Sequence, residues 1–420
     1  MDLVVALEER FARTPDGAYR TATSYPRAFW DRYLSVFDRV RIACRVLDVP
    51  ADRSHQRRVD GDRVSVLPLP CYVGPRQYLL MRAAVVRAIR AIDFADSAVL
   101  LRVPGVVGSL ISRTLPPARP YGVEVCGDPF DVFAPGSIDH PLRPFFRWWF
   151  SRELARVCRG AACSLYVTQR ALQQRYPPPV PTRRSTAITV GVSDVEMPDE
   201  AYRPFAPSVS RSGSLRIISV GTLEQMYKGQ DLLLKAVARC LAAGLDTRLT
   251  LVGTGRLMPV LQKLARELGT ADRVTFTGAL PSGAAIRAAL DEHDLFVLAS
   301  RQEGLPRAMV EAMARGLPCI GTMVGGIPEL LPGYALVRPG DVRALTERIV
   351  AFGREPKLRE RASRENLAAA RRYHESVLQP VRENFYRELA SVTSAWSRGR
   401  RGRAPPSEAS ASTFFGRALR

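Results

Sequence analysis

From Leu215 onward the chain alternates short apolar, β-branched runs with segments of helical period, and this alternation limits the fold more than any other feature. It predicts strands at Leu215–Val220, Arg248–Val252, Val274–Thr277, Leu295–Ala299 and Pro318–Thr322. Helices are predicted between them at Gln230–Ala243, Leu257–Leu268, Ala284–Asp291 and Arg307–Arg315. Strands that alternate with helices imply βαβ units and a parallel sheet with helices wound on both faces.

Residues 1–195 show the same alternation less regularly. Strands are predicted at Val40–Val46, Val64–Leu67, Ala98–Val103, Gly122–Cys126 and Ser164–Thr168, with helices at Tyr78–Ile92 and Arg143–Cys158. The expected class is α/β, with two Rossmann-like doubly wound domains, because 420 residues exceed one ordinary core. The expected division is an N-terminal domain over 1–195, a proline-containing linker over 196–214 and a C-terminal domain over 215–375. Helical pattern continues from Val342 to Leu389, and a helix over 376–390 is expected to pack back on the N-terminal domain. Residues 391–420 hold Arg, Ser, Pro and Gly without periodicity and are expected to be disordered.

Composition removes several classes. No run reaches 18 apolar residues, so no transmembrane helix is expected, and the acidic MDLVVALEERFART start is not a secretory signal. A cytoplasmic protein is expected. Seven cysteines without a CxxC pair suggest neither a disulfide framework nor a zinc site, and His55, His140, His293 and His374 form no metal-ligand cluster. The net charge of +20 favours anionic partners, although only four basic residues are lysines, an arginine bias that coding composition also produces. No nucleic-acid-binding motif accompanies the charge, so no specific nucleic acid is expected as a partner.

Ligands of open parallel sheets bind at the carboxyl ends of strands, and the second unit concentrates unusual residues there. After its first strand comes Gly221-Thr222 and then Lys228-Gly229, a lysine placed before a helix where it can meet phosphate oxygens. After its second comes Gly253-Thr-Gly255, where backbone can lie close to a ligand. After the fourth comes Glu303-Gly304-Leu305-Pro306-Arg307, with Glu311 following on the helix. Two carboxylates so spaced suit a pair of hydroxyl-bearing groups, although a helix-capping Glu and a surface Glu would have the same spacing.

In order and spacing, Gly-x-Leu-x4-Lys-Gly, Val-Gly-x-Gly, Val-x-Phe-x-Gly and Glu-Gly-x-Pro-x4-Glu resemble the donor domain of glycosyltransferase family 4, the group 1 retaining enzymes of GT-B fold. The likeness covers residues 215–345 closely, includes Gly325-Gly-Ile-Pro-Glu329, and covers 1–195 only in outline. It implies a nucleotide-diphosphate sugar as donor, a saccharide or lipid-linked acceptor in cell-envelope glycan synthesis, retention of configuration, and no required metal or other cofactor. It also implies that Glu303 binds donor-sugar hydroxyls and that the amides of Gly304, Leu305 and Arg307 approach the sugar or diphosphate. Glu311 would bind the ribose, Lys228 would neutralise the diphosphate, and Thr277-Gly278 would lie against the base.

Two positions depart from the family. Thr222 stands where an arginine is usual, and Arg256, Arg301 and Arg307 are the nearest replacements. Val125-Cys126-Gly127-Asp128-Pro129 stands where relatives carry a histidine pointing at the reacting sugar. Asp128 is the candidate to take over that contact, with His140 a weaker one, although Asp before Pro is also a common turn residue. Arg143–Arg159 combines five arginines with Phe145, Phe146, Trp148, Trp149 and Phe150, a composition suited either to docking on an anionic membrane face or to a helix packed on the sheet. The alternatives to a transferase are a sugar-nucleotide epimerase or phosphorylase of the same fold, and a non-catalytic basic protein that binds membrane or nucleic acid. Four lysines leave little room for the pyridoxal-bearing lysine of a phosphorylase.

Overall fold

The computed structural model describes residues 1–23, 25–50, 56–116, 118–135, 140–179, 188–192, 195–203 and 213–401. The strands before residue 192 are β1 (Asp2–Arg13), β2 (Tyr19–Thr21), β3 (Val40–Asp48), β4 (Arg57–Arg58), β5 (Val64–Pro70), β6 (Ser97–Val103), β7 (Gly122–Val125), β8 (Cys163–Tyr166) and β9 (Ile188–Gly191). Among them run helices α1 (Asp31–Leu34), α2 (Gly74–Arg90), α3 (Val106–Thr114), α4 (Pro129–Val132), α5 (Arg143–Arg159) and α6 (Ala171–Arg175).

A separate sheet holds β10 (Leu215–Val220), β11 (Thr247–Val252), β12 (Val274–Gly278), β13 (Leu295–Leu298), β14 (Cys319–Thr322) and β15 (Leu336–Val337). The helices that run among and after these strands are α7 (Gln230–Ala242), α8 (Met258–Glu267), α9 (Ala284–Asp291), α10 (Arg307–Ala314), α11 (Ile327–Leu330), α12 (Val342–Arg354), α13 (Pro356–Ala370) and α14 (Glu375–Arg401). The strand order is β12-β11-β10-β13-β14-β15 and every pairing is parallel. This is the doubly wound order, and the winding reverses between β10 and β13. The four residues of β13 and the four of β14 are all buried, as expected of parallel strands covered on both faces.

Packing divides the chain into two compact units: 1–101 with 110–122 and 385–420, and 102–109 with 123–384. Neither follows the boundary expected at residue 195. In the first unit β1 pairs in parallel with β3 and β6, and Leu3, Val4, Val5 and Ala6 lose all contact with solvent. The strands read from the pattern begin only at Val40. The polar Glu8-Glu9-Arg10 hides β1, because the register on β3 slips there and those residues leave the alternation. The slip sets Glu8 beside Tyr72, whose hydroxyl donates to it at 3.1 Å, and beside Arg45 at 3.2 Å.

The C-terminal expectation needs correction. Residues 391–401 are helical, as the last part of α14, and only 402–420 lie outside the described residues. Phe385, Tyr386, Leu389 and Thr393 recur at helical spacing and are buried within the first unit. The Tyr386 ring lies 4.9 Å from that of Tyr33, and the Arg119 guanidinium stacks 4.8 Å from the centre of Trp396. Arginine-rich composition concealed only the continuation of this helix beyond residue 390.

In the second unit the start of the expected linker is packed rather than loose. Met197 is buried and pairs with the chain at 373–375, its N–H donating to Tyr373 O at 2.9 Å. Residues 204–212 of the expected linker lie outside the described part.

Candidate functional site

The reversal point between β10 and β13 is built by two loops that grip each other. The backbone N–H of Arg301 donates to Tyr227 O at 2.7 Å, and its guanidinium donates to Met226 O at 2.7 Å. The same guanidinium holds the Asp231 carboxylate through two bonds of 2.8 Å. Gly229 makes the turn into α7 with φ +71°, and a Cβ there would sit 1.9 Å from Ala299 O, so the approach needs glycine. Arg301 therefore braces the site.

This bracing brings Lys228 to Glu303. The ammonium donates to Glu303 Oε1 at 2.7 Å, and the Ser300 hydroxyl donates to the same oxygen at 2.7 Å. The Lys228 side chain is 17 % exposed and that of Glu303 7 %. The lysine stem lies over Gly221, where a Cβ would meet Lys228 Cγ at 3.3 Å. Burial pushes the neighbouring Tyr227 phenol up, so it stays a neutral wall of the site.

The other strand ends close around this pair. Gly253 N–H donates to Gly278 O at 2.8 Å, Gly221 N–H to Val252 O at 2.9 Å, and Leu223 N–H to Thr254 O at 2.9 Å. Gly255 lies against the backbone of Leu223 and Glu224. Thr222 accepts from Glu224 N–H at 3.2 Å, and its carbonyl accepts from the buried Gln230 amide at 3.1 Å. Thr277 is exposed at the end of β12 and donates to Gly278 O at 3.0 Å. Pro306 starts α10, whose Arg307 and Glu311 form a pair at 3.0 Å. Of the three arginines weighed against Thr222, Arg301 is held by Asp231, Arg256 donates to Glu224 O at 2.9 Å and Arg307 faces Glu311.

Asp128 sits at the end of β7 and is buried. It caps α4 through Phe130 N–H at 2.9 Å, accepts from the Tyr176 hydroxyl at 2.5 Å and pairs with Arg175. Burial, then the Asp128 charge, push the adjacent Asp131 up. The residues just before Asp128 reach the loop that carries Glu303: a Cβ on Gly304 would lie 3.1 Å from Cys126 O. His140 accepts from Leu142 N–H at 3.1 Å, His293 is tied to Ala289 and Thr250, and His374 to Asp199 and Ser376. His55 lies outside the described residues. Among the described residues no group of three or more His, Cys, Asp and Glu is placed to hold a metal ion.

Sequence reasoning noted Glu329 only as part of a motif and missed its role. Its carboxylate accepts from the N–H groups of Gln169, Arg170 and Ala171 at 2.6, 2.9 and 2.8 Å. No spacing rule links positions 160 residues apart.

The aromatic residues of α5 divide by position. Glu153, Leu154, Val157 and Cys158 are buried, and Phe146 and Phe150 pack on Phe133. Phe145, Trp148 and Trp149 remain 49, 56 and 45 % exposed, flanked by Leu142. Among the described residues no helix is long and apolar enough to cross a membrane.

A doubly wound sheet of this order, together with a second α/β sheet in the same chain, is the architecture of the GT-B fold. Solved structures agree on the fold: sucrose-phosphate synthase from Thermosynechococcus elongatus superposes with a TM-score of 0.68 at 16 % identity, covering 93 % of this chain and 99 % of that one. The family model described as "Glycosyl transferases group 1" matches residues 214–354, the part of the chain that forms the second sheet. Protein CapJ of Staphylococcus aureus is 25 % identical over 77 % of this chain and 80 % of its own length. The GDP-mannose-dependent monoacylated alpha-(1-6)-phosphatidylinositol monomannoside mannosyltransferase of Corynebacterium glutamicum is 36 % identical over 31 % of this chain, which spans only 35 % of that protein.

Proposed function

We propose that the protein transfers a sugar from a nucleotide-diphosphate donor to an acceptor hydroxyl, with retention at the anomeric carbon and without a metal. The observation that carries this reading is the Lys228–Glu303–Ser300 cluster at the reversal point of the sheet, with Glu311 on the helix that follows. Glu303 takes a donor-sugar hydroxyl, Glu311 takes the ribose, and Lys228 moves its charge to the diphosphate as the leaving group becomes anionic. The acceptor oxygen bonds to the anomeric carbon on the face from which the diphosphate departs. The anomeric carbon–oxygen bond to the diphosphate breaks, and the acceptor proton passes to the departing phosphate oxygen. Asp128 shapes the turn that brings Cys126 O up to Gly304.

The acceptor in this reading is a lipid-linked or cell-envelope saccharide, in keeping with the lipid acceptor named for the Corynebacterium relative. The protein works at the cytoplasmic membrane face, where exposed Phe145, Trp148 and Trp149 enter the interface beside the arginines of α5.

Thermal melting against UDP, GDP, ADP and CMP and their sugar conjugates tests the donor site, since a ligand of the folded state alone raises Tm. One nucleotide is expected to shift Tm in the wild type and not in Glu311→Ala. No shift with any, from protein that still bound anionic vesicles or nucleic acid, would move the reading to a non-catalytic binding protein. Product stereochemistry read by NMR tests retention, turnover in EDTA tests metal independence, and sedimentation of a Phe145/Trp148/Trp149→Ser variant with anionic vesicles tests membrane docking.

A further inference from the structure

Glu329 joins two parts of the second unit that belong to different sheets. On one side its carboxylate binds the three consecutive N–H groups at 169–171, which follow β8. On the other, the segment leading to it is interlocked with the loop that carries Glu303. Gly326 N–H donates to Gly304 O at 2.7 Å. A Cβ on Gly325, which turns with φ +51°, would lie 1.9 Å from Glu303 O. A Cβ on Gly326 would meet Gly304 O at 2.8 Å and Thr168 Cγ2 at 3.2 Å. Gly304 in turn reaches Cys126 O after β7. The strand ends of β7 and β8, the donor loop and Glu329 thus form one closed chain of contacts.

We infer that Glu329 is a positioning residue for the transfer step: it fixes the distance between the donor loop at 303–306 and the ends of β7 and β8, without touching a substrate. The inference rests on the donor-site reading above. Nucleotide is held by Lys228 and Glu311 from within the 215–354 sheet, so loss of Glu329 leaves nucleotide affinity nearly intact. The acceptor hydroxyl has to be aligned with the anomeric carbon to a fraction of an ångström, so loss of the brace lowers kcat by about ten- to a hundredfold. Water needs no alignment by β7 and β8, so a larger share of donor is hydrolysed instead of transferred.

The test compares wild type, Glu329→Ala and Glu329→Gln, using the nucleotide that shifts the wild-type Tm. Three quantities are read: nucleotide Kd by calorimetry, kcat with the hydrolysis-to-transfer ratio, and hydrogen exchange at the amides of 169–171. Glu329→Ala is expected to keep Kd within about twofold, lose kcat, raise the hydrolysis ratio and expose those amides to exchange. Glu329→Gln retains one carbonyl acceptor but turns an NH2 toward a donor, so it is expected to fall between the two. Unchanged kcat and ratio in Glu329→Ala would overturn the inference while leaving the donor site standing. A fall in kcat matched by an equal loss of Kd, or of folded fraction, would overturn it in favour of a purely structural role. A wild type that binds no nucleotide at all would instead remove the donor-site reading beneath it.

Discussion

Replacing Lys228 by methionine separates two jobs that the lysine performs. The stem keeps its packing over Gly221, but Glu303, with 7 % of its side chain exposed, is left with the Ser300 hydroxyl alone among the two partners described. Breaking a buried ion pair by removing one partner costs about 3–5 kcal/mol, and the partial exposure of Lys228 places this case near about 3 kcal/mol. For a domain of this size that is a fall in Tm of about 6–12 °C. The double variant Lys228→Met/Glu303→Gln leaves no uncompensated charge, and its Tm is expected to return to within roughly 3 °C of wild type. Nucleotide binding follows a different rule, because the cation is missing from both variants. Loss of a charge-assisted contact worth about 1.5–3 kcal/mol weakens nucleotide Kd about ten- to a hundredfold in each. Differential scanning calorimetry and titration calorimetry on the three proteins give both quantities. If the double variant melts as low as the single one, or the single one melts with wild type, the pair is not what holds the loops. If the double variant binds nucleotide like wild type, Lys228 is not the diphosphate cation.

Asp128→Ala removes a helix cap and an ion pair together and is expected to lower Tm, whereas Asp128→Asn keeps the cap and is expected to retain most turnover; loss of turnover in a stable Asp128→Asn would give the carboxylate a catalytic role. Burial holds the His293 imidazole below its ordinary range, its Nδ1–H donating to Ala289 O and its Nε2 accepting from Thr250. The unfolded chain therefore takes up that proton first, and stability is lost as pH falls through about 6.5 toward the lower folded value. Melting curves at pH 7.5 and 5.5 are expected to show a smaller acid loss in His293→Gln than in wild type, and equal losses would refute the assignment. Leu389→Asp sets a charge among buried side chains and is expected to leave the first unit insoluble or unfolded, read by expression and circular dichroism.

The second sheet was legible because its strands are short runs rich in apolar and β-branched residues, with glycines and charged residues following their ends. Lys228, Glu303 and Glu311 were picked out as candidates by their place after the strands, and the fold brings the first two together. The brace beneath them was not legible. Arg301 was a candidate phosphate ligand by proximity in sequence, and only the fold shows its guanidinium committed to Asp231, 70 residues away. Asp128 read equally as turn residue or sugar contact, and the partners that now surround it, Arg175 and Tyr176, lie 47 and 48 residues on. Glu329 depends wholly on long-range geometry. In the first unit β1 was hidden by a register slip, and arginine-rich composition after residue 390 masked the continuation of α14 to Arg401.

The buried stripe of α14 has a consequence for biosynthesis. Phe385, Tyr386, Leu389 and Trp396 complete a core whose other walls include Trp30, Tyr33, Phe37, Leu100 and Arg119. A ribosome delivers the early walls first and the closing residues, from Phe385 on, more than 350 residues after Tyr33. Until then the nascent N-terminal strands present uncovered apolar surface, while residues 215–354 already have what they need to form their own sheet. Vectorial synthesis therefore inverts the order of the chain: the sheet at 215–354 can mature on the ribosome, and the unit whose strands were made first waits for α14.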